Sequence, residues 1–401
     1  MKKDVINLSN IYEEDKQYIL NVYRRMDLEI VRGEGSYLYD SKDNKYLDMF
    51  SGIAVNSLGL NNTGIKDRIT EQISKFIHMS NYFVSEPSVK LAKLIVENSF
   101  ASKVFFCNSG TEANEAAIKL AKKYGQSINT DKVELLSAYN SFHGRTIGGL
   151  SLTGQEKYKS SFKPLMPNVN HFEFNNIEDF KSKVSENTCA VFLEIIQGEG
   201  GIREVSEAFM KELNELSNTY NFLIVFDEVQ TGLFRTGDLF AYEKFNIKPH
   251  IVTMAKALGG GIPIGAMLVS EEVENVLQPG DHGSTFGGNS LSCAVGEYIL
   301  ETVLNDSFQN ELREKSLYLM ENLVKIKTKY PNIIKDIRGR GMMIGVDVGN
   351  YAGSIKTLGI EKKVLLNVTN ETVVRLLPPL TISLEEIDEF ITKFEEIIES
   401  L

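Results

Sequence analysis

The chain has 401 residues, 42% hydrophobic and 24% charged, with a formal net charge of −11. Such a length exceeds most single cores, so two domains, or one large domain with a satellite, are expected. The acidic balance argues against a nucleic-acid surface, which needs a basic footprint, and no uncharged stretch reaches the roughly 18–20 residues of a membrane helix; a cytoplasmic protein is the expectation.

The opening segment is polar and irregular. Its two lysines have no apolar run behind them, so it does not read as a signal peptide. Residues 35–52 alternate apolar and polar around Asp43-Asn44, which predicts a hairpin. Pro87 opens an amphipathic helix with Val89, Leu91, Leu94 and Ile95 on one side. A buried strand is predicted at 103–108, followed by a helix over 110–125. Further apolar runs at 133–139, 190–196, 222–228, 251–255 and 266–270 lack polar alternation, as strands covered on both faces do. A helix is predicted between two of them, at 206–220. The pattern gives an α/β domain with a largely parallel sheet. Beyond about residue 300 it changes to a long amphipathic helix, strands at 342–348 and 373–379, and a terminal helix at 384–400. The expected division is an N-terminal segment 1–60 joining the small domain, a large domain 61–300 and a smaller α+β domain 301–401.

Ligands of an open parallel sheet bind beyond the carboxyl ends of its strands, so polar residues that interrupt the apolar runs come first. Asp227 and Glu228 end the run 222–228. A carboxylate there is costly unless a cation meets it. It serves either as a cap or ion pair, or as counter-ion to a protonated ligand nitrogen. Lys256 follows the run 251–255 and precedes Gly259-Gly260-Gly261. It is either a loop lysine or a buried amine with a lowered pKa, beside backbone that lets a ligand approach closely. Ser109, Gly110 and Thr111 join a strand to a helix start. Free N–H groups there suit a phosphate, although ordinary capping would use the same residues. The segment 141–146 brings Phe142, His143 and Arg145 together, an aromatic that can stack on a planar ring and an arginine that can grip a carboxylate.

Several features lead elsewhere. The run 339–345 misses dinucleotide-binding spacing, and the five histidines have neither HExxH nor paired spacing. With no CxxC, a metal site is not expected. Cys107, Cys189 and Cys293 are far apart in apolar stretches and read as buried free thiols.

Taken together, SGTEANEAA, SFHGRT, EIIQGEGG, FDEVQTGLFRTG, AKALGGGIPIGA, GSTFGGN and RLLPP resemble, in order and spacing, the class III aminotransferases of the fold-type-I pyridoxal-phosphate superfamily. The resemblance runs from about Gly35 to Pro379, and within the class it is closest to the acetylornithine aminotransferases. It implies pyridoxal 5'-phosphate as cofactor, bonded to Lys256. Asp227 would partner the pyridine nitrogen, Gln230 the phenolic oxygen, and Phe142 would stack on the ring. Ser109, Gly110 and Thr111 would take the phosphate, with Thr285 donated by the second subunit of a homodimer. Arg145 would hold a substrate carboxylate, with Ser284 nearby. Arg375 would be a second such arginine, with Glu199 its switchable partner. The implied reaction passes a terminal amine of N2-acetylornithine to 2-oxoglutarate, in arginine biosynthesis. A sister transaminase for ornithine, succinylornithine or 4-aminobutyrate, or an aminomutase, stays open. The sequence departs from the family at 58–65, which lacks its usual two histidines and proline, and at Ile195, where a proline is usual.

Overall fold

The computed structural model describes residues 11–401. The described chain opens with a short helix, Ile11–Tyr18, where the sequence predicts irregular structure; its side chains are mostly exposed, so no apolar face marked it. An antiparallel meander follows, of β1 (Ile30–Glu34), β2 (Tyr37–Asp40) and β3 (Lys45–Asp48). Its second turn falls at Asp43, as expected. The Asp40 carboxylate builds that turn by accepting the N–H groups of Lys42 and Asn44, at 2.9 and 2.8 Å.

Beyond β3 the backbone makes a left-handed turn. Ser51, Gly52, Ile53 and Ala54 have φ of +42°, +64°, +63° and +61°. Each residue other than glycine costs roughly 1–2 kcal/mol in this conformation, so the turn needs outside support. The Asp48 carboxylate accepts the N–H groups of Phe50 and Ser51, and the Ser51 hydroxyl donates to the Leu377 carbonyl at 2.6 Å. The atypical segment 58–65 has a structural role. The Leu60 backbone exchanges two hydrogen bonds with Gly35, and the Asn62 side chain caps the helix Thr63–Lys75.

The central sheet has seven strands: β4 (Lys103–Cys107), β5 (Glu134–Ala138), β6 (Val169–Phe172), β7 (Thr188–Leu193), β10 (Leu223–Asp227), β11 (Ile251–Met254) and β12 (Gly265–Val269). A short ladder, β8 (Ile196–Gln197) with β9 (Arg203–Glu204), lies between β7 and β10 in sequence. The sheet order is β4-β12-β11-β10-β7-β5-β6. Every neighbouring pair from β11 to β6 is parallel, whereas β12 runs antiparallel to both β11 and β4. The largely parallel sheet is present, with one reversed strand and one strand, β6, that the pattern did not reveal. The helix predicted over 110–125 continues to Ile128 and packs its alanine face, Ala113, Ala116, Ala117 and Ala121, on the sheet.

After the helices Ser290–Val303 and Asp306–Lys329, a second sheet is built from β13 (Asp336–Arg340), β14 (Met343–Asp347), β16 (Asn367–Thr369) and β17 (Val373–Leu376), in the order β13-β14-β17-β16. β15 (Val364–Leu365) pairs instead with β3, extending the meander with a strand from the other end of the chain. Ser383 and Glu386 form a capping box on the terminal helix Leu384–Glu399. The hydroxyls of Ser36 and Tyr37 bind Glu386 and Glu389 on that helix. All three cysteines are free and buried. Among the described residues no helix is long and apolar enough to cross a membrane, and no cluster of side chains could hold a metal ion.

Candidate active site

A cleft of about 450 Å³ opens beyond the sheet, within the usual range for small-molecule sites. Residues just past the carboxyl ends of β4, β5, β7, β10 and β11 line it, together with Ile264 at the amino end of the reversed β12. Ser109, Gly110, Thr111, Phe142, Arg145, Glu199, Asp227, Gln230 and Lys256 thus share one space.

Asp227 is the last residue of β10 and is buried. One oxygen, Oδ2, accepts from Asn114 Nδ2 and from His143 Nδ1, both at 2.8 Å; the other accepts the Val229 N–H at 3.1 Å. Asn114 is fixed in turn, accepting from the Thr253 hydroxyl and donating to the His143 carbonyl. Burial disfavours a charged His143, but the hydrogen bond and charge of Asp227, aided by Glu194, raise its pKa above the ordinary value. Asp227 is therefore a carboxylate immobilised by three donors at the cleft wall. Its neighbour Glu228 faces away, accepting from the Thr231 hydroxyl and the Tyr242 N–H, and fixes the following loop.

Lys256 sits where β11 ends, at a φ of +43°. Among the described residues its amine has no hydrogen-bond or ion-pair partner. Burial, with the charge of Arg375, pulls its pKa down to about 8 against the carboxylates Glu199, Asp227 and Glu194. The N–H groups of Gly110 and Thr111 head their helix and so lack intrahelical partners. Ser109 caps the same helix by accepting the Glu112 N–H. A Cβ at Gly110 would lie 2.8 Å from Val229, so this helix start needs glycine to stay seated against the cleft.

The two arginines are held differently. Arg375, on β17, is 1% exposed and donates Nη1 to Glu199 Oε1 at 2.6 Å, to the Gly198 carbonyl at 3.1 Å and to Gln230 Oε1 at 3.2 Å. Burial would raise the Glu199 pKa, but the charge and hydrogen bond of Arg375 hold it below the ordinary range. Arg145 is exposed. Its guanidinium carbon lies 4.0 Å from the centroid of the Tyr158 ring and 5.4 Å from that of Phe142. Among the described residues it has no carboxylate partner.

The structure also brings in residues the sequence did not single out. Glu194 is buried at the end of β7 and accepts the N–H groups of Phe142 and Gly198; burial raises its pKa to about 7. A carboxylate interrupting the apolar run 190–196 was the available signal, akin to the one that marks Asp227. Asn114 was signalled by a lone amide on an alanine face. Asn367, on β16, whose Oδ1 accepts from Nε and Nη2 of Arg375, had no sequence signal. Conversely, Thr285 and Ser284 do not line this cleft. Thr285 is exposed, and Ser284 binds Asn108 Nδ2 and the Gly287 N–H at its edge.

These features suit pyridoxal phosphate: an unpartnered amine of lowered pKa, an immobilised carboxylate, an aromatic ring and a helix start with free N–H groups. Comparison with known families matches residues 18–398 to "Aminotransferase class-III". The chain is 48% identical to the acetylornithine aminotransferase of Clostridium acetobutylicum, over 96% of this chain and 99% of that one. It is 41% identical to the succinylornithine transaminase of Photorhabdus laumondii, over 92% of each. Among solved structures, the N-acetylornithine aminotransferase of Stenotrophomonas maltophilia superposes with a TM-score of 0.84 at 31% identity, covering 97% of this chain and 98% of that one.

Proposed function

The chain belongs to the class III aminotransferases, enzymes dependent on pyridoxal phosphate, and on that premise we propose that it moves the terminal amino group of N2-acetylornithine to 2-oxoglutarate. The products are N-acetylglutamate 5-semialdehyde and glutamate, and the setting is arginine biosynthesis in the cytoplasm. The observation that carries the choice of donor is the near-full-length similarity to acetylornithine aminotransferases, at 48% in the relative above.

When bound, the cofactor supplies the electron sink that lets an amine and a 2-oxo acid exchange nitrogen. Lys256 would hold it, and its free amine would take and return the proton at the substrate's reacting carbon. The lowered pKa favours the neutral amine that a general base needs. Asp227 sets its charge against the ring nitrogen, with Asn114 and His143 keeping it in place. Gly110, Thr111 and Ser109 take the phosphate, Gln230 the phenolic oxygen, and Phe142 covers the ring. Arg145 receives the far carboxylate of either substrate. Arg375 receives the carboxylate next to the reacting carbon of the 2-oxo acid once Glu199 moves aside; a donor with a terminal amine has no carboxylate there and leaves that pair closed.

Thr285 completes the phosphate site from the second subunit of a homodimer, with Ser284 beside the substrate. Its exposure outside its own cleft supports this, as does the apolar surface around it. Phe286, Tyr82 and Val84 are 58%, 95% and 85% exposed, and such patches mark association surfaces. Light scattering of the cofactor-loaded protein should give twice the chain mass, and an active monomer would contradict the arrangement.

The donor is tested by kcat/KM with 2-oxoglutarate saturating. N2-acetylornithine should exceed free ornithine by on the order of a hundredfold, since a second ammonium without a partner is left poorly solvated. Ile53, at the segment where ornithine enzymes place a tyrosine, is partly exposed and does not line the cleft. It contributes no hydroxyl for that ammonium. Equal values for the two donors, or a preference for ornithine, succinylornithine or 4-aminobutyrate, would overturn the assignment. Turnover without any 2-oxo acid would point to an aminomutase.

A further inference from the structure

Arg375 presents two hydrogen-bonding edges. Its end-on edge meets Glu199, Gly198 and Gln230 through Nη1. Its side-on edge, Nε and Nη2, meets a single atom: Asn367 Oδ1, which accepts from both at 3.0 and 2.7 Å. The register explains the contact. β16 and β17 are antiparallel, and Asn367 stands directly opposite Arg375, where cross-strand side chains meet. Among the described residues Glu199 is the only carboxylate paired with this guanidinium.

We propose that Asn367 is the positioning residue that makes Arg375 a carboxylate receptor with one exchangeable edge. This rests on the reading that Arg375 takes the carboxylate of the 2-oxo acid. A buried guanidinium needs its donors satisfied, and Asn367 satisfies two of them with a neutral oxygen. The side chain is thereby locked in orientation while its charge stays uncancelled. When Glu199 swings out, a full positive charge and a fixed end-on fork face the incoming carboxylate, the geometry a bidentate pair requires. An aspartate at this position, nearly the same shape, would add a permanent carboxylate on the side-on edge. It would neutralise Arg375 before any substrate arrived and repel the incoming anion. An alanine would leave two buried donors unsatisfied and free the guanidinium to turn.

The inference separates the two half-reactions. For Asn367→Asp, the affinity of the loaded enzyme for glutarate, an unreactive dicarboxylate, should fall at least tenfold by calorimetric titration. KM for 2-oxoglutarate should rise by a similar factor. The single-turnover rate with N2-acetylornithine alone should stay within about twofold, because that step leaves the Glu199–Arg375 pair closed. Asn367→Ala should shift the same two quantities in the same direction and supplies the comparison if the aspartate variant does not accumulate. Arg375→Ala is the control. If it too leaves glutarate binding unchanged, the reading of Arg375 fails and the inference falls with it. If it abolishes binding while both Asn367 variants bind like wild type, or slow both half-reactions equally, the inference alone is overturned.

Discussion

Lys256→Ala should purify as a folded protein that lacks the visible absorbance of lysine-bonded cofactor and turns over about a thousandfold or more slowly, the scale of a lost positioned general base. Folding should survive because the amine makes no hydrogen bond or ion pair among the described residues, so its removal strands no partner. Taking a buried cation with a pKa near 8 out of the cleft removes a desolvation cost as well. Addition of a small primary amine should restore part of the rate, since the missing function is a base at a fixed place. A variant that keeps the absorbance, or works at close to the normal rate, would remove Lys256 from the centre of the site.

Asp227→Asn should bind cofactor and lose on the order of a hundred- to ten-thousandfold in rate, because an amide cannot hold a proton on the ring nitrogen. The change is isosteric, yet its effect would not stop at the ring. Asp227 accepts from His143, Asn114 and Val229, and an amide has a single acceptor oxygen to offer three donors. His143, whose raised pKa depends on Asp227, should fall back towards neutrality. Nuclear magnetic resonance titration of the imidazole would separate this loss of charge from a general loosening of the site. Near wild-type turnover would end the assignment.

The residues that were legible in the sequence share one property. Asp227 and Lys256 are charges set against long apolar runs, where a charge has a cost that chemistry must justify; Glu199, among glycines, came only from the family resemblance. Gly110 and Thr111 were readable because a strand-to-helix junction exposes N–H groups whatever the fold around it. His143 was noted beside Phe142 and Arg145 without a role of its own, and Asn367 was not legible at all, because a neutral side chain becomes functional only through the partner it meets. For Asn367 that partner is eight positions away across a hairpin whose register the sequence does not state. In the fold, the runs at 222–228 and 251–255 are unambiguous strands, since both of their faces are covered. β6 (Val169–Phe172) escaped notice because a short edge strand carries polar residues such as Asn170 and His171. The antiparallel course of β12 was equally hidden. A fully buried strand has the same apolar composition in either direction.

That reversed strand also sets a timetable for synthesis. β4 has one neighbour in the sheet, β12, and its pairing residues Lys103 to Cys107 wait for residues 265–269. Gly265 follows its partner Cys107 by 158 positions. At a ribosomal rate of about 5–20 residues per second, Val104, Phe105 and Phe106 spend roughly 8–30 s as an unpaired apolar edge. β5, β6, β7, β10 and β11 can already have found partners by the time β11 has emerged. Loss of solubility on overexpression should therefore trace to β4, and shielding by a chaperone matters most between the emergence of its last residue and that of Val269.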